Sequence, residues 1–186
     1  MSAASVRQAR FQALVLIHLD AAYNLARWLA RNDDDAQDIA QEAYLRALKF
    51  FDGFHGEDAR AWLLAIVRNT YYTWIKTRRS RAQDESFEEE VHGLGENSAT
   101  WADSASHSNP ELLLMQQASK QIINTALDRL PVESREILVL RELEDLSYKE
   151  IAAIVEVPIG TVMSRLARAR KLLRDELQQM NAESQM

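Results

Sequence analysis

Residues 147–173 read SYKEIAAIVEVPIGTVMSRLARARKLL. Ser147 followed three residues later by Glu150 is a capping-box signature and predicts a helix start. Tyr148, Ile151, Ala152 and Val155 then repeat at i, i+3, i+4 and i+7, the spacing of a buried stripe. Glu156-Val157-Pro158 interrupts the pattern. Proline lacks an amide donor and is tolerated only in a helix's first turn, so Pro158 marks a new helix. In that helix Val162, Leu166, Ala169 and Leu173 share one stripe. Thr161, Ser164, Arg165, Arg168 and Lys171 cluster on a different side, and Arg170 and Arg174 face a third. A short amphipathic helix, a tight turn and a second helix with a polar, basic face is the pattern of a helix-turn-helix. The second helix of that motif enters the DNA major groove. Arg165 and Arg168 are then placed to meet guanine edges or phosphates, and Thr161 and Ser164 to donate near the helix N-terminus.

The basic helix belongs to a chain of 186 residues with a formal net charge of −6. Five glycines, three prolines and little strand-like alternation predict an all-α protein. Cysteine is absent, which excludes disulfides and thiolate chemistry. His18, His55, His92 and His107 show no metal-ligand spacing, and no metal or cofactor is expected. Without a Gly-rich phosphate loop or a nucleophile–base pairing, the chain does not read as an enzyme. Apolar runs are too short to span a membrane and no signal peptide is seen, so a cytoplasmic location is expected. Charge divides the chain into three parts. Residues 1–82 carry a net +3, residues 83–110 a net −7 with no Lys or Arg, and residues 111–186 a net −2. The middle block is polar and rich in Ser, Asn and Gly, as a linker is. Two small helical domains, over residues 6–82 and 111–180, are therefore expected on either side of an acidic flexible linker at 83–110.

In the first domain, residues 6–31 predict one long helix with Phe11, Leu14, Ala21, Leu25 and Trp28 near one face. Asn32 and Asp33–Asp35 separate it from a second helix at 36–51. Ile39, Ala43, Ala47 and Phe50 form the packing stripe of that helix. Asp38, Gln41, Glu42, Leu45 and Lys49 lie opposite. Asp38 and Glu42 are like charges at i, i+4, mildly destabilising in isolation. Spacing alone fits a solvated face here as well as a cationic partner. After the loop DGFHGED comes ARAWLLAIVRNTYYTWIKTRRSR. Trp62, Tyr71, Tyr72 and Trp74 lie among Arg60, Arg68, Lys76, Arg78, Arg79 and Arg81, with Trp62 assigned inward beside Leu63 and Ile66. Aromatic rings stack on unpaired bases for about 1–3 kcal/mol each while cations follow the backbone, so this helix suits single-stranded DNA.

Taken in order, DDDAQDIAQEAYLRAL, ARAWLLAIVRNTYYTWIKTRR and ALDRLPVESREILVLRELEDLSYKEIAAIVEVPIGTVMSRLARARKLL resemble the extracytoplasmic-function (ECF, group 4) sigma factors of the sigma-70 family over nearly the whole chain. The resemblance implies an alternative sigma factor that binds core RNA polymerase and directs promoter-specific initiation. Its first domain would be sigma region 2, and its second would be sigma region 4. Asp38, Gln41, Glu42 and Leu45 would then dock on the β′ clamp helices, and the β flap would be a second polymerase contact. The loop Phe54-His55-Gly56 would lie where a base flipped from the −10 element is held. Arg68, Asn69, Tyr72, Trp74, Lys76, Arg78 and Arg79 would surround that melted strand. Thr161, Ser164, Arg165, Arg168 and Lys171 would read the −35 duplex. The resemblance also implies an anti-sigma factor and an acidic linker that mimics nucleic acid inside the polymerase. Thr73 and Met163 depart from the family pattern, where acidic and basic residues respectively are common, and both bear on promoter sequence. The competing reading is a stand-alone helix-turn-helix regulator, which binds duplex operators without polymerase.

Overall fold

The computed structural model describes residues 3–56, 58–84 and 110–183. Its elements are α1 (Ala3–Leu14), α2 (Leu19–Ala30), α3 (Asp33–Phe50), α4 (Ala59–Asp84), α5 (Pro110–Arg129), α6 (Val132–Leu138), α7 (Tyr148–Val155) and α8 (Ile159–Glu183). Short 3-10 turns cover Leu16–His18 and Phe51–Gly53, and a π-helical turn covers Val139–Leu143. All regular structure among the described residues is helical. The expected linker lies, apart from its ends, outside the described residues, as do His92 and His107.

The first helical unit packs α2, α3 and α4 against one another, with Phe11 of α1 in the same core. Residues 6–31 do not make the single helix that periodicity predicts. Val15 takes φ −110°, and a 3-10 turn reorients the chain before α2. β-Branched Val15 and Ile17 are weak helix formers, and the break turns Phe11 of α1 and Val15 just after it into the core that Leu25 and Leu29 of α2 also enter. Arg7 holds the folded-over α1 by donating to Asp52 Oδ1 at 2.6 Å and to the Leu48 carbonyl at 2.7 Å. Asn32 caps α3 by accepting from the Asp35 amide at 2.9 Å, and Asp33, Asp34 and Asp35 sit where the helix dipole favours negative charge. Phe50 was expected in the core stripe of α3 and is instead 58% exposed. The tighter 3-10 turn that follows swings Phe51 inward in its place, edge-on to Phe11 at 5.1 Å.

The second unit is α5–α8. Ser147 and Glu150 form the predicted capping box, with Ser147 N to Glu150 Oε2 at 2.6 Å and Glu150 N to Ser147 Oγ at 3.2 Å. Such a cap stabilises a helix by about 0.5–2 kcal/mol. Ile151, Ile154 and Val155 of α7 meet Val162, Leu166 and Ala169 of α8, and Ile137 and Leu140 fill the space beneath them. The two units then pack together. α2 lies on α6 and α4 on α7, and a single buried apolar cluster runs through both.

Candidate nucleic-acid interface

On α8 the structure sorts the cations by what they touch. Arg170 is bonded to Glu142 Oε1 through Nε at 3.0 Å and Nη2 at 2.7 Å, so its charge ties α8 to the π turn. Arg165, Arg168 and Lys171 are exposed, and among the described residues no acid lies within ion-pair reach of them. Met163 and Ile159 are about half exposed beside them, at 53% and 47%. Thr161 is half-buried at the helix start. Ser164 was expected to donate outward. Its hydroxyl donates instead to the Thr161 carbonyl at 3.0 Å, leaving lone pairs outward. The polar face opposite Val162, Leu166 and Ala169 is therefore a strip of unpaired guanidinium and ammonium groups.

On α3, Asp38, Gln41, Glu42 and Leu45 are all exposed, Leu45 at 59%. Glu42 accepts from Arg46 Nε at 2.7 Å. Leu45 and Phe50 flank a shallow recess of 360 Å³ with Arg46 and Lys49. Phe50 was missed as part of this face because the helical period placed it inside; only the change of pitch after it reveals it.

α4 is divided along its length. Toward its C-terminus Lys76 and Arg79 are exposed, and the Arg78 guanidinium lies 4.9 Å from the Trp74 ring while donating to Asp35 at 3.1 Å. Asn69 is exposed. Arg68 and Tyr72, expected to face an unpaired strand, face the second helical unit. Arg68 Nε lies 2.8 Å from Glu136 Oε1 without the alignment of a hydrogen bond. The Tyr72 hydroxyl donates to Glu136 Oε2 at 3.4 Å, and the Arg68 guanidinium stacks 4.8 Å from the Tyr72 ring. Burial, and then the Glu136 carboxylate, push the Tyr72 phenol well above its usual range, so it stays neutral. Burial also raises the Glu136 carboxyl, and the opposing pull of Arg68 does not cancel it. Arg135, next in sequence and 3% exposed, donates to the Asp128 and Leu130 carbonyls. Burial, aided by the charge of Arg31, lowers it. Arg60 of α4 pairs with the buried Glu144, and Arg31 Nε lies 3.6 Å from Asp128 Oδ1. These pairs join the two units. Their sequence signal was slight: two charges, Arg135 and Glu136, at the head of the apolar run in SREILVL.

The loop before α4 was expected to present Phe54 to a flipped base. Phe54 is 5% exposed, stacked on Phe51 at 6.2 Å and tilted on Trp62 at 4.8 Å. Its apolar ring is taken up by the aromatic core, which leaves His55 exposed along with the acids Asp52 and Asp58 that flank it. Trp62, assigned to the core, is half-buried. With Phe54 and His55 on one wall and Ser147, Glu150 and Ile154 on the other, it lines an open cleft of 820 Å³ between the units.

Two family descriptions match the chain: sigma-70 region 2 over residues 14–81, and sigma-70 region 4 over residues 120–173. The chain is 36% identical over 147 residues to the ECF RNA polymerase sigma-E factor of Escherichia coli, covering 77% of this chain and 74% of that one. It is 33% identical over 171 residues to the ECF RNA polymerase sigma factor SigE of Mycolicibacterium smegmatis, covering 92% of this chain and 63% of the length of that relative. Among solved structures it is similar to the sigma factor RpoE of Bartonella quintana, crystallised with the anti-sigma factor NepR. The TM-score there is 0.68 at 30% identity, over 91% of this chain and 97% of the other.

Proposed function

The chain belongs to the extracytoplasmic-function group of the sigma-70 family, and from that premise we propose that it is a promoter-specificity subunit of bacterial RNA polymerase. One observation supports the reading: a single chain carries two exposed cationic faces of different make-up. α8 offers a strip of unpaired cations on a helix-turn-helix, which suits duplex DNA. α4 offers exposed Lys76, Arg78 and Arg79 beside the Trp74 ring, which suits an unpaired strand. Initiation needs both, one for the −35 duplex and one for the melted −10 element. A stand-alone regulator of duplex operators has no use for the second.

In this reading the exposed face of α3, with Asp38, Gln41, Glu42, Leu45 and Phe50, docks on the polymerase clamp. Arg165, Arg168 and Lys171 contact the −35 duplex, with Thr161 and Ser164 at the helix start. Lys76, Arg78 and Arg79 hold the −10 strand together with Trp74, Asn69, Tyr72 and Arg68, and His55 stands at the mouth of the base-holding loop. Residues 83–110 tether the two units. An anti-sigma factor, as in the Bartonella complex, is the expected regulator. No helix is long and apolar enough to cross a membrane among the described residues.

The test is run-off transcription from a genomic DNA library by bacterial core RNA polymerase, with and without this protein. The expected result is new transcripts that share a two-part upstream motif. Binding to duplex DNA by the protein alone, with no new transcripts, would favour the stand-alone regulator.

A further inference from the structure

The match to sigma-70 region 2 begins at residue 14, so α1 lies almost wholly ahead of it. α1 nevertheless reaches the loop that the proposed function gives to a flipped base. Arg7, Arg10 and Phe11 stand at i, i+3 and i+4 and share one helix face. Phe11 anchors that face, edge-on to Phe51 at 5.1 Å. Arg7 then donates to Asp52 Oδ1 at 2.6 Å and to the Leu48 carbonyl at 2.7 Å. The Arg10 guanidinium lies 5.3 Å from the Phe51 ring centroid, and its Nη2 donates to the Phe54 carbonyl at 3.4 Å.

The Phe54 carbonyl belongs to the peptide unit that carries the His55 amide. A trans peptide is planar, with its C=O and N–H pointing opposite ways, and none of the described peptides is cis. Holding the carbonyl on Arg10 therefore aims the His55 amide away from α1. The neighbouring chain has little freedom to undo this. The Phe54 amide is bonded to the Phe51 carbonyl at 3.0 Å, and the Phe54 ring is buried. Gly56 passes so close over that ring that a Cβ there would meet Phe54 Cε2 at 3.2 Å. The acids on either side are also engaged. Asp52 is held by Arg7, and Asp58 accepts from the Ala61 amide at 2.9 Å. An anionic strand thus meets less free negative charge at His55 than the sequence DGFHGED suggests.

We propose that Arg10, braced by Arg7 one turn earlier on α1, is a positioning residue for reading the −10 element. It fixes the Phe54–His55 peptide so that the His55 amide and side chain meet the flipped base in one orientation. The inference rests on the placing of that base at this loop. Arg10 acts through the peptide and need not touch DNA. Base contacts carry sequence information, whereas phosphate contacts carry most of the affinity. A loop released from Arg10 would re-aim its donors to suit a wrong base, because discrimination needs groups held to a fraction of an ångström. Strand affinity through Lys76 and Arg79 would persist.

The experiment uses the full chain with bacterial core RNA polymerase on a promoter library randomised through the −10 element, with the transcripts sequenced. Arg10→Met keeps an unbranched stem beside Phe51 and removes the donor. Arg10 is exposed, so the core is not disturbed. This variant is expected to lower discrimination at a single −10 position by about tenfold, the scale of one base contact. The other −10 positions, the −35 preference and binding to core polymerase should not change. Arg10→Lys, which keeps a cation and a donor, should recover most of the lost discrimination. A purely structural role would instead lower the urea midpoint or weaken every position together. Unchanged preference at every −10 position in Arg10→Met, or a uniform loss, overturns the proposal. His55→Pro tests the underlying reading separately. It removes the side chain and the amide donor, and Phe54 at φ −83° and ψ 107° already has the backbone that precedes a proline. If His55→Pro alters a −10 position that Arg10→Met leaves intact, the loop keeps its role and only the proposal falls. If His55→Pro alters no −10 preference, the loop does not hold the base, and the reading and the proposal fall together.

Discussion

At the scale of single residues, charge matters less than whether it is already spent. Arg165, Arg168 and Arg170 lie within six residues on one helix, yet only Arg170 has an acid partner, Glu142. Arg165→Ala and Arg168→Ala should therefore each weaken selection of the −35 sequence by about 1–3 kcal/mol, as loss of a bidentate base contact does. Arg170→Ala should leave selection unchanged and cost at most about 1 kcal/mol of stability, since its pair is exposed. Transcription from promoter libraries and urea unfolding separate the two effects. A second residue-scale feature is Glu156, which closes α7 at φ 56° in the left-handed region, with its amide bonded to the Ala152 carbonyl. A non-glycine residue there is strained by about 1–2 kcal/mol, part of which a glycine returns as unfolded-chain entropy. Glu156→Gly should stabilise the chain by about 0.5–1 kcal/mol, seen as a higher urea midpoint at unchanged m-value.

At the scale of elements, the helical period is a good guide within a helix and a poor one at its ends. The α3 stripe Ile39, Ala43 and Ala47 is buried as its spacing predicts, but the fourth member, Phe50, points outward because a 3-10 turn begins there. The same cause splits residues 6–31 at Val15. The break at Val15 has no glycine or proline to announce it, and at α3 the glycine, Gly53, comes only at the end of the turn. The misplaced Phe50 enlarges the apolar part of the α3 face beside Leu45. An exposed leucine and phenylalanine rimmed by Glu42 and Arg46 have the form of an interface anchor with a polar border. Leu45→Asp should weaken binding to core polymerase by about 2 kcal/mol, roughly thirtyfold, in a fluorescence titration. DNA binding by α8 should be unaffected.

At the scale of the whole molecule, the docking of the two units decides which surfaces are open. It also makes docking sensitive to pH. Glu136 faces Arg68 and Tyr72 from α4 and lies near Glu133 on its own helix. Burial raises its carboxyl above the ordinary value of 4.5, so the docked form binds a proton more tightly than the separated form does. Docking is then strongest below that ordinary value and weakens as pH rises through the raised value of the docked state. Energy transfer between dyes on Gln37→Cys and Asp175→Cys, one on each unit, should increase as pH is lowered at fixed ionic strength, and Glu136→Gln should remove that dependence. A pH response that persists in the variant would assign it to another group.

What the residues determined by themselves is what depends on near neighbours in the chain: the helical class, the capping box at Ser147, the turn at Pro158, and the stripes of α7 and α8. These follow from spacing, cap chemistry and proline geometry, all of which act within about two helical turns. The α8 cations were legible for the same reason, since one helix sets which of them share a face. Only the tertiary structure decided that Phe54 lies in an aromatic core, that Phe50 lies outside it, and that Arg68 and Tyr72 meet Glu136 rather than solvent. Phe54 and Phe50 turn on the pitch of the short turn between them, whereas the Tyr72–Glu136 and Arg60–Glu144 contacts span 64 and 84 positions. No local pattern carries that information, because a charge that will be buried against another unit reads in sequence like one that will stay in water.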